Sequence, residues 1–324
     1  MKKVLVTGGA GYIGSVLVKL LLQKGYFVRV LDNLSFGGEA IVELLNDDNF
    51  EFVKGDIRNK KDLLVAMKDI EYVAHLASIV GDPACAVDPE LTKDININGA
   101  RLTYETANEL GVKRFIFAST CSNYGKMKDP NAYVNEESEL SPVSLYAETK
   151  VEFEKYLLSQ DRKNTAKPTC LRFSTVYGLS PRIRFDLTVN EFTKDLAMGK
   201  ELVVFGEQFW RPYCHVVDLS RGVIASIEAE ETKVAFNVFN VGDTSENYQK
   251  QMIVEEIKKQ LPEAKIKYVT RDEDPRDYKV SFEKIKNELG FQITKTVPEG
   301  IAQFIQVVKD GFINNPDDQK YKNV

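Results

Sequence analysis

The chain has 324 residues and is poor in the side chains that build metal centres. It holds two histidines, His75 and His215, far apart in sequence. Its four cysteines, Cys85, Cys121, Cys170 and Cys214, are equally scattered, with no C-x-x-C spacing. Zinc sites draw on clustered His and Cys, so no metal is expected. A chain this long buries a large core without covalent staples, and lone cysteines of this kind read as free thiols of a reducing compartment. No apolar run reaches the 18 or so residues that cross a bilayer; the stretch 16–22 is interrupted by Lys19 and followed by Gln23, Lys24 and Gly25. The first residues run directly into a strand-like VLV, without the apolar core and cleavage site of a signal peptide. No membrane association and a cytoplasmic location are therefore expected. Neither charge dominates: 43 Lys+Arg against 48 Asp+Glu give a formal net charge of −5, which argues against a nucleic-acid-binding surface. No G-x-S-x-G elbow is present, so a serine hydrolase has no support.

What is present is a regular alternation. Strand-like runs at Lys3–Thr7, Phe27–Leu31, Phe50–Lys54, Tyr72–Leu76, Arg114–Ala118 and Thr169–Phe173 are separated by helix-like segments, notably Ile13–Lys24, Leu91–Leu110 and Val143–Leu158. Strands spaced by helices imply right-handed crossovers. The expected class is α/β, a Rossmann-type doubly wound parallel sheet. After about Thr175 the rhythm loosens into a charged loop SPRIRFD, a helix near Leu187–Met198, a strand LVVF and a strand-like CHVVD. The expectation is a dinucleotide-binding domain over 1–175. A smaller, interleaved α/β substrate domain over 176–324 follows, with about 213–240 crossing back to the first. The polar stretch Asn314–Val324 is expected to fray.

Between the first strand and the first helix lies T-G-G-A-G-Y-I-G, with Gly8, Gly11 and Gly14 at the turn and Tyr12 and Ile13 opening the helix. One glycine makes a tight turn, another lets the backbone approach a pyrophosphate, and a third lets the helix pack close to the sheet. The free N–H groups at the helix start then hold the anion. The second strand ends in Asp32 and Asn33. A carboxylate there accepts both ribose hydroxyls of an adenosine and repels a 2′-phosphate, which favours NAD over NADP. After the third strand, Asp56 and Ile57 follow a glycine; Asp56 fits either the adenine amino group or the N-cap of the helix near Lys61.

Tyr146 and Lys150 stand four apart on a helix and so share a face. A lysine cation favours the phenolate of a tyrosine that is otherwise a poor base at neutral pH. Such a tyrosinate can take a proton from a sugar hydroxyl as hydride leaves carbon. The fifth strand ends in A-S-T-C-S-N-Y-G, where a hydroxyl can polarise the same oxygen.

In order along the chain, T-G-G-A-G-Y-I-G, D-N-L, G-D-I-R, H-L-A, S-T…Y-G, Y-x-x-x-K and H-V-x-D resemble the extended short-chain dehydrogenase/reductase family. Within it they are similar to the NAD-dependent nucleotide-sugar epimerase/dehydratase branch, of which UDP-glucose 4-epimerase is typical. The resemblance runs to roughly Ile305. It implies NAD as cofactor, a nucleoside-diphosphate sugar as substrate, a 4-epimerase activity and a homodimer formed through 91–110 and 143–158. The alternatives are a 4-dehydrogenase or 4-ketoreductase and, from another class, a non-catalytic dinucleotide sensor. It assigns Thr120, Tyr146 and Lys150 as the catalytic set and places Leu76, Ala77, Ser78 and Asn96 along the cofactor. Thr175, Arg184, Asn190, Arg211 and Arg276 are implied to meet the substrate, with Arg271 replacing Arg276 on another alignment and Arg182 in the same closing segment as Arg184. The branch's asparagine for the substrate diphosphate falls on Thr175. His75 and His215 match structural positions. The 4,6-dehydratases of this branch follow the catalytic Thr with Asp-Glu; Cys121 and Ser122 stand there instead, which disfavours dehydration.

Overall fold

The structure, a computed structural model, describes residues 1–127, 129, 132–269 and 276–323. The first half of the chain runs β1 (Lys3–Thr7), α1 (Tyr12–Gln23), β2 (Phe27–Asp32), β3 (Phe50–Lys54), α2 (Lys60–Ala66), β4 (Tyr72–His75), α3 (Asp82–Val87), α4 (Pro89–Lys93), α5 (Ala100–Glu109), β5 (Arg114–Thr120), α6 (Leu145–Leu158) and β6 (Lys167–Phe173). The second runs β7 (Thr175–Tyr177), α7 (Thr188–Ala197), β8 (Glu201–Phe205), β9 (Trp210–His215), α8 (Val216–Glu228), α9 (Glu231–Val234), β10 (Asn237–Val241), β11 (Asn247–Gln249), α10 (Lys250–Gln260), β12 (Lys265–Val269), α11 (Glu283–Leu289) and α12 (Val297–Lys309).

Seven strands form one sheet in the order β10-β6-β5-β4-β1-β2-β3, and every neighbouring pair is parallel. A parallel sheet needs both faces covered, and the strand sequences supply two apolar faces by simple alternation. Val4 and Val6 of β1 join Val28 and Val30 of β2 in a core shared with Leu17 and Leu21 of α1. Leu5 joins Val73, Phe115 and Phe117 on the other face, against Tyr104 of α5 and Phe153 of α6. Strand order reverses between β1 and β4, and a crevice opens at the carboxyl ends of the strands at such a reversal. A separate core of Val189, Leu196, Val204, Ile253, Ile257 and Ile301 holds α7, α10 and α12 with the small sheets β11-β9-β7 and β12-β8. Among the described residues no helix is long and apolar enough to cross a membrane. All four cysteines are free and buried.

Three local expectations need correction. The segment 91–110 is helical but not α-helical throughout: α4 passes through a π-helical turn at Asp94–Gly99 before α5. The run C-H-V-V-D is strand only in its first two residues. The strand ends at His215, whose Nδ1 accepts from the Val217 N–H at 3.2 Å and caps α8. Short apolar runs do not distinguish strand from helix by period alone. The stretch near the end of the chain is not frayed: Phe185 N donates to Tyr321 O at 2.8 Å, and the two rings pack at 5.5 Å.

Candidate functional site

The glycine turn is sterically closed to any larger residue. Gly8 has φ of +74°, and a Cβ there would lie 2.8 Å from the Ala77 backbone nitrogen. A Cβ on Gly14 would lie 2.1 Å from the Gly8 carbonyl oxygen. The start of α1 carries no side-chain cap and no acid in its first turn, so its N–H groups, which have no partners within the helix, are left for an anion. Gly8, Gly11, Tyr12, Ile13 and Gly14 line one cavity of about 550 Å³ at the strand-order reversal.

Asp32 closes the β2 side of that cavity. Its Oδ2 accepts from Ala10 N at 3.0 Å and its Oδ1 from Leu34 N at 2.8 Å. Burial pushes the carboxyl up, and these two N–H groups oppose the shift. Each oxygen keeps a lone pair for a vicinal diol. Asn33, Asp56 and Ile57 line the same wall. The Asp56 carboxylate takes Arg58 at 2.7 and 3.0 Å, which holds it below the usual carboxylate range. The cap of α2 is Asn59, which accepts from Lys61 N at 3.0 Å, so the helix-cap alternative for Asp56 is set aside.

Leu76, Ala77 and Ser78 form the floor between β4 and α3. Asn96 does not reach the cavity wall; it is buried and holds that floor in place. Its Oδ1 accepts from Ile79 N at 2.8 Å and Ser78 Oγ at 3.0 Å, and its Nδ2 donates to Ile79 O at 3.0 Å. His75 bonds Thr7 Oγ1 at 2.9 Å through Nδ1, and burial pulls its pKa down to about 3. It is a neutral, structural side chain.

At the β5 side stand Thr120, Tyr146 and Lys150, all on the cavity wall. Thr120 ends β5, and its Oγ1 accepts from Ser122 N at 3.1 Å. Ser144 caps α6, which puts Tyr146 in the first turn and Lys150 one turn on. Lys150 Nζ donates to Ala118 O at 2.9 Å and lies 5.8 Å from the Tyr146 ring centroid. Burial pulls the Lys150 ammonium down to about 7. Burial pushes the Tyr146 phenol up, and a hydrogen bond with the Thr120 hydroxyl opposes it. Asp32 leaves β2 and Thr120 leaves β5, three strand spacings away, or about 14 Å. The cavity therefore offers a diol acceptor at one side, an anion cradle in the middle and a tyrosine–lysine–threonine set at the other. That sequence of donors and acceptors fits a dinucleotide.

The residues assigned to the substrate behave less uniformly. Arg184 does line the cavity, but beside the glycine turn: it pairs with Asp186 at 2.8 and 2.9 Å and lies 5.9 Å from the Tyr12 ring. Asn190 is fully buried, with its amide bonded to Gly178 N, Tyr12 OH and Arg184 O; it anchors a loop and has no reach to a ligand. Thr175 sits in β7 between Ser174 and Val176, and only these two neighbours line the cavity. Arg211 and Arg276 are not among the residues that line the cavity; Arg211 lies 5.3 Å from the Tyr278 ring and Arg276 is within electrostatic reach of it. Arg276 is paired with Asp82 at 2.7 Å. Arg271 lies outside the described residues. Phe36 and Asn323 line the cavity without having been singled out. Phe36 follows the Asp32 signal closely enough to have been inferred; nothing marks Asn323. Cys121 is buried, its thiol pushed up by burial and donating to Arg172 O at 3.3 Å, and so has no access to an acid–base role. Among the described residues no His, Cys, Asp and Glu cluster has the makings of a metal site.

The chain is similar to known proteins over nearly all its length. It is 29% identical to a UDP-glucose 4-epimerase of Bacillus subtilis over 92% of this chain and 94% of that one. Its fold superposes on a crystal structure of UDP-glucuronic acid 4-epimerase from Bacillus cereus in complex with UDP-glucuronic acid and NAD, with a TM-score of 0.84, 26% identity and coverage of 95% and 99%. A Thermotoga maritima UDP-glucose 4-epimerase solved with UDP-glucose gives a TM-score of 0.83 at 28% identity, covering 96% and 100%. Residues 4–242 match the NAD dependent epimerase/dehydratase family, a span that contains the glycine turn, Asp32 and the Thr120–Tyr146–Lys150 set, and the chain belongs to that family.

Proposed function

We propose that the protein is an NAD-dependent nucleotide-sugar 4-epimerase acting on a nucleoside-diphosphate hexose. The observation that carries this reading is the placement of Thr120, Tyr146 and Lys150 at one side of a cavity whose other side is Asp32. When bound, NAD supplies a hydride acceptor that later returns the hydride. The chain's residues supply the proton chemistry and the grip. Tyr146 takes the proton of the sugar 4-hydroxyl and gives it back; its burial opposes the phenolate, and the Thr120 hydroxyl favours it. Thr120 donates to the same oxygen and steadies the charge that develops there. Lys150, fixed by Ala118 O, favours the phenolate when protonated. Arg211 and Arg276 suit the substrate diphosphate, because guanidinium and phosphate match in bidentate geometry. The first part of the chain, about 1–175, holds the cofactor on this reading. Most of 176–324 holds the substrate, with about 213–240 returning to the first part. A cytoplasmic homodimer joined through 91–110 and 143–158 is the proposed assembly.

The test starts with protein purified without added cofactor, denatured, and assayed for released NAD(H). Near-stoichiometric NAD(H), together with interconversion of UDP-glucose and UDP-galactose or of the corresponding uronates, supports the reading. Net oxidation or reduction of the sugar at the expense of added NAD(P)(H) replaces it with a 4-dehydrogenase or ketoreductase. Tyr146→Phe is expected to retain NAD and lose at least roughly 10²-fold in turnover; an unchanged rate removes Tyr146 from the mechanism.

A further inference from the structure

The loop between β7 and α7 folds back over the glycine turn. Ser180 Oγ donates to Tyr12 O at 2.7 Å, and Tyr12 OH donates to Gly178 O. This brings Arg182 to the Asp32 side of the cavity, where it lines the wall with Phe36 and Asn323. The Arg182 guanidinium carbon lies 3.9 Å from the Phe36 ring centroid. Its Nη1 donates to Asn323 Oδ1 at 2.8 Å and its Nη2 to Lys322 O at 3.3 Å. Its Nε is buried and has no hydrogen-bond partner among the described residues. The Asn323 N–H donates to Asp186 Oδ2 at 3.0 Å, and the same carboxylate takes Nε and Nη2 of Arg184. One acidic side chain thus ties the cavity loop to the segment 319–323.

We propose that Arg182, stacked on Phe36 and tied to Asn323, is a cofactor-retaining residue that closes the adenosine side of the cavity. Asn323 and Lys322 hold both terminal nitrogens of the guanidinium, so it is fixed as part of the wall against which an adenosine bound at Asp32 packs. A guanidinium lying on an aromatic face is also held against swinging outward. An enzyme that must return the hydride it removed keeps its dinucleotide through turnover. Closure at the adenosine side achieves this without touching the reacting end. The inference rests on the reading that Asp32 marks the adenosine side.

The experiment compares wild type, Arg182→Gln and Asn323→Ala. The readouts are NAD(H) per chain after purification and the release rate of NADH, followed by its fluorescence after mixing with excess NAD. Arg182→Gln is expected to release NADH roughly tenfold faster, the effect of one lost charge-assisted hydrogen bond. Asn323→Ala, which leaves the loop packing intact, is expected to show a smaller acceleration of about threefold. Wild-type release rates in both variants with a raised KM for UDP-glucose would overturn the proposal and return Arg182 to the substrate. Unchanged NADH release with weakened NADPH binding in Arg182→Gln would overturn it in favour of a 2′-phosphate site. The release rate is read with no sugar present. A failure of sugar interconversion therefore counts against the 4-epimerase reading alone.

Discussion

Lys150 is the residue on which burial and chemistry act in opposite directions. Burial pulls its pKa to about 7 from an ordinary 10.5. In the cofactor-free protein the unfolded chain therefore binds more protons than the folded one between about pH 7 and 10.5. Stability contributed by this site is lowest below pH 7 and rises with pH through that window. The expected outcome is a rise approaching about 1 kcal/mol per pH unit above pH 7 in urea titrations, absent in Lys150→Met. A matching slope in that variant removes Lys150 as its source. Asp32→Ala is expected to relax the bias against NADP, checked by relative NADH and NADPH affinities; no change in their ratio takes Asp32 out of that role. The residues that were legible in sequence are those set by local spacing: glycines three apart at a turn, a carboxylate ending a strand, a tyrosine and lysine one helical turn apart. Asn190 and Arg184 were not. The loop 178–187 has no period, and only the fold shows that Asn190 spends its amide on Tyr12, Gly178 and Arg184.

At the scale of elements, α6 carries both Tyr146 and Lys150, so its seat on the sheet sets the geometry of the proposed chemistry. That seat is polar. Arg172 of β6 donates to Glu154 of α6 at 2.5 Å, and Ser119 of β5 donates to the same carboxylate at 2.7 Å. Arg172 also reaches Tyr124 OH at 2.9 Å. Both charged side chains are almost wholly buried, at 4% and 2% exposure. Removing one partner of such a pair leaves a charge with no water to turn to and costs roughly 3–5 kcal/mol. Arg172→Met is expected to lower stability by about 3 kcal/mol or more, read from the denaturant midpoint. An effect below about 0.5 kcal/mol, the level of an ordinary surface change, contradicts that account. The helix itself was visible in the sequence, as was each strand of the first half. The π turn within 91–110 was not visible, because D-I-N-I-N-G contains no proline; Asn96, inside that turn, is bonded to the floor of the cavity.

At the scale of the whole molecule, the central sheet is not made from consecutive chain. β10 lies beside β6 and pairs with it from Asn237↔Thr169 to Val241↔Phe173, although β7 to β9 and α8 come between them in sequence. The alternation of the first half predicted a parallel sheet; its last strand arrives only after most of the looser second half has begun. The ion pair between Asp82 and Arg276 is a second tie of this kind, joining α3 to the segment that packs on Tyr278. The position of β10 has a consequence for synthesis. Every residue of the glycine turn and of the Thr120–Tyr146–Lys150 set has emerged by the time β6 is made. The backbone edge of β6 then waits for the chain from Phe173 to Asn237, which at roughly 5–20 residues per second takes some seconds. An unpaired apolar strand edge is a template for other chains. A fragment ending at residue 180 is expected to associate and pellet, while the full chain, whose β6 edge is covered by β10, stays in solution, a difference that sedimentation of the two measures. The nascent protein thus depends on protection at one edge of its sheet during the interval when its cofactor-binding residues are already complete.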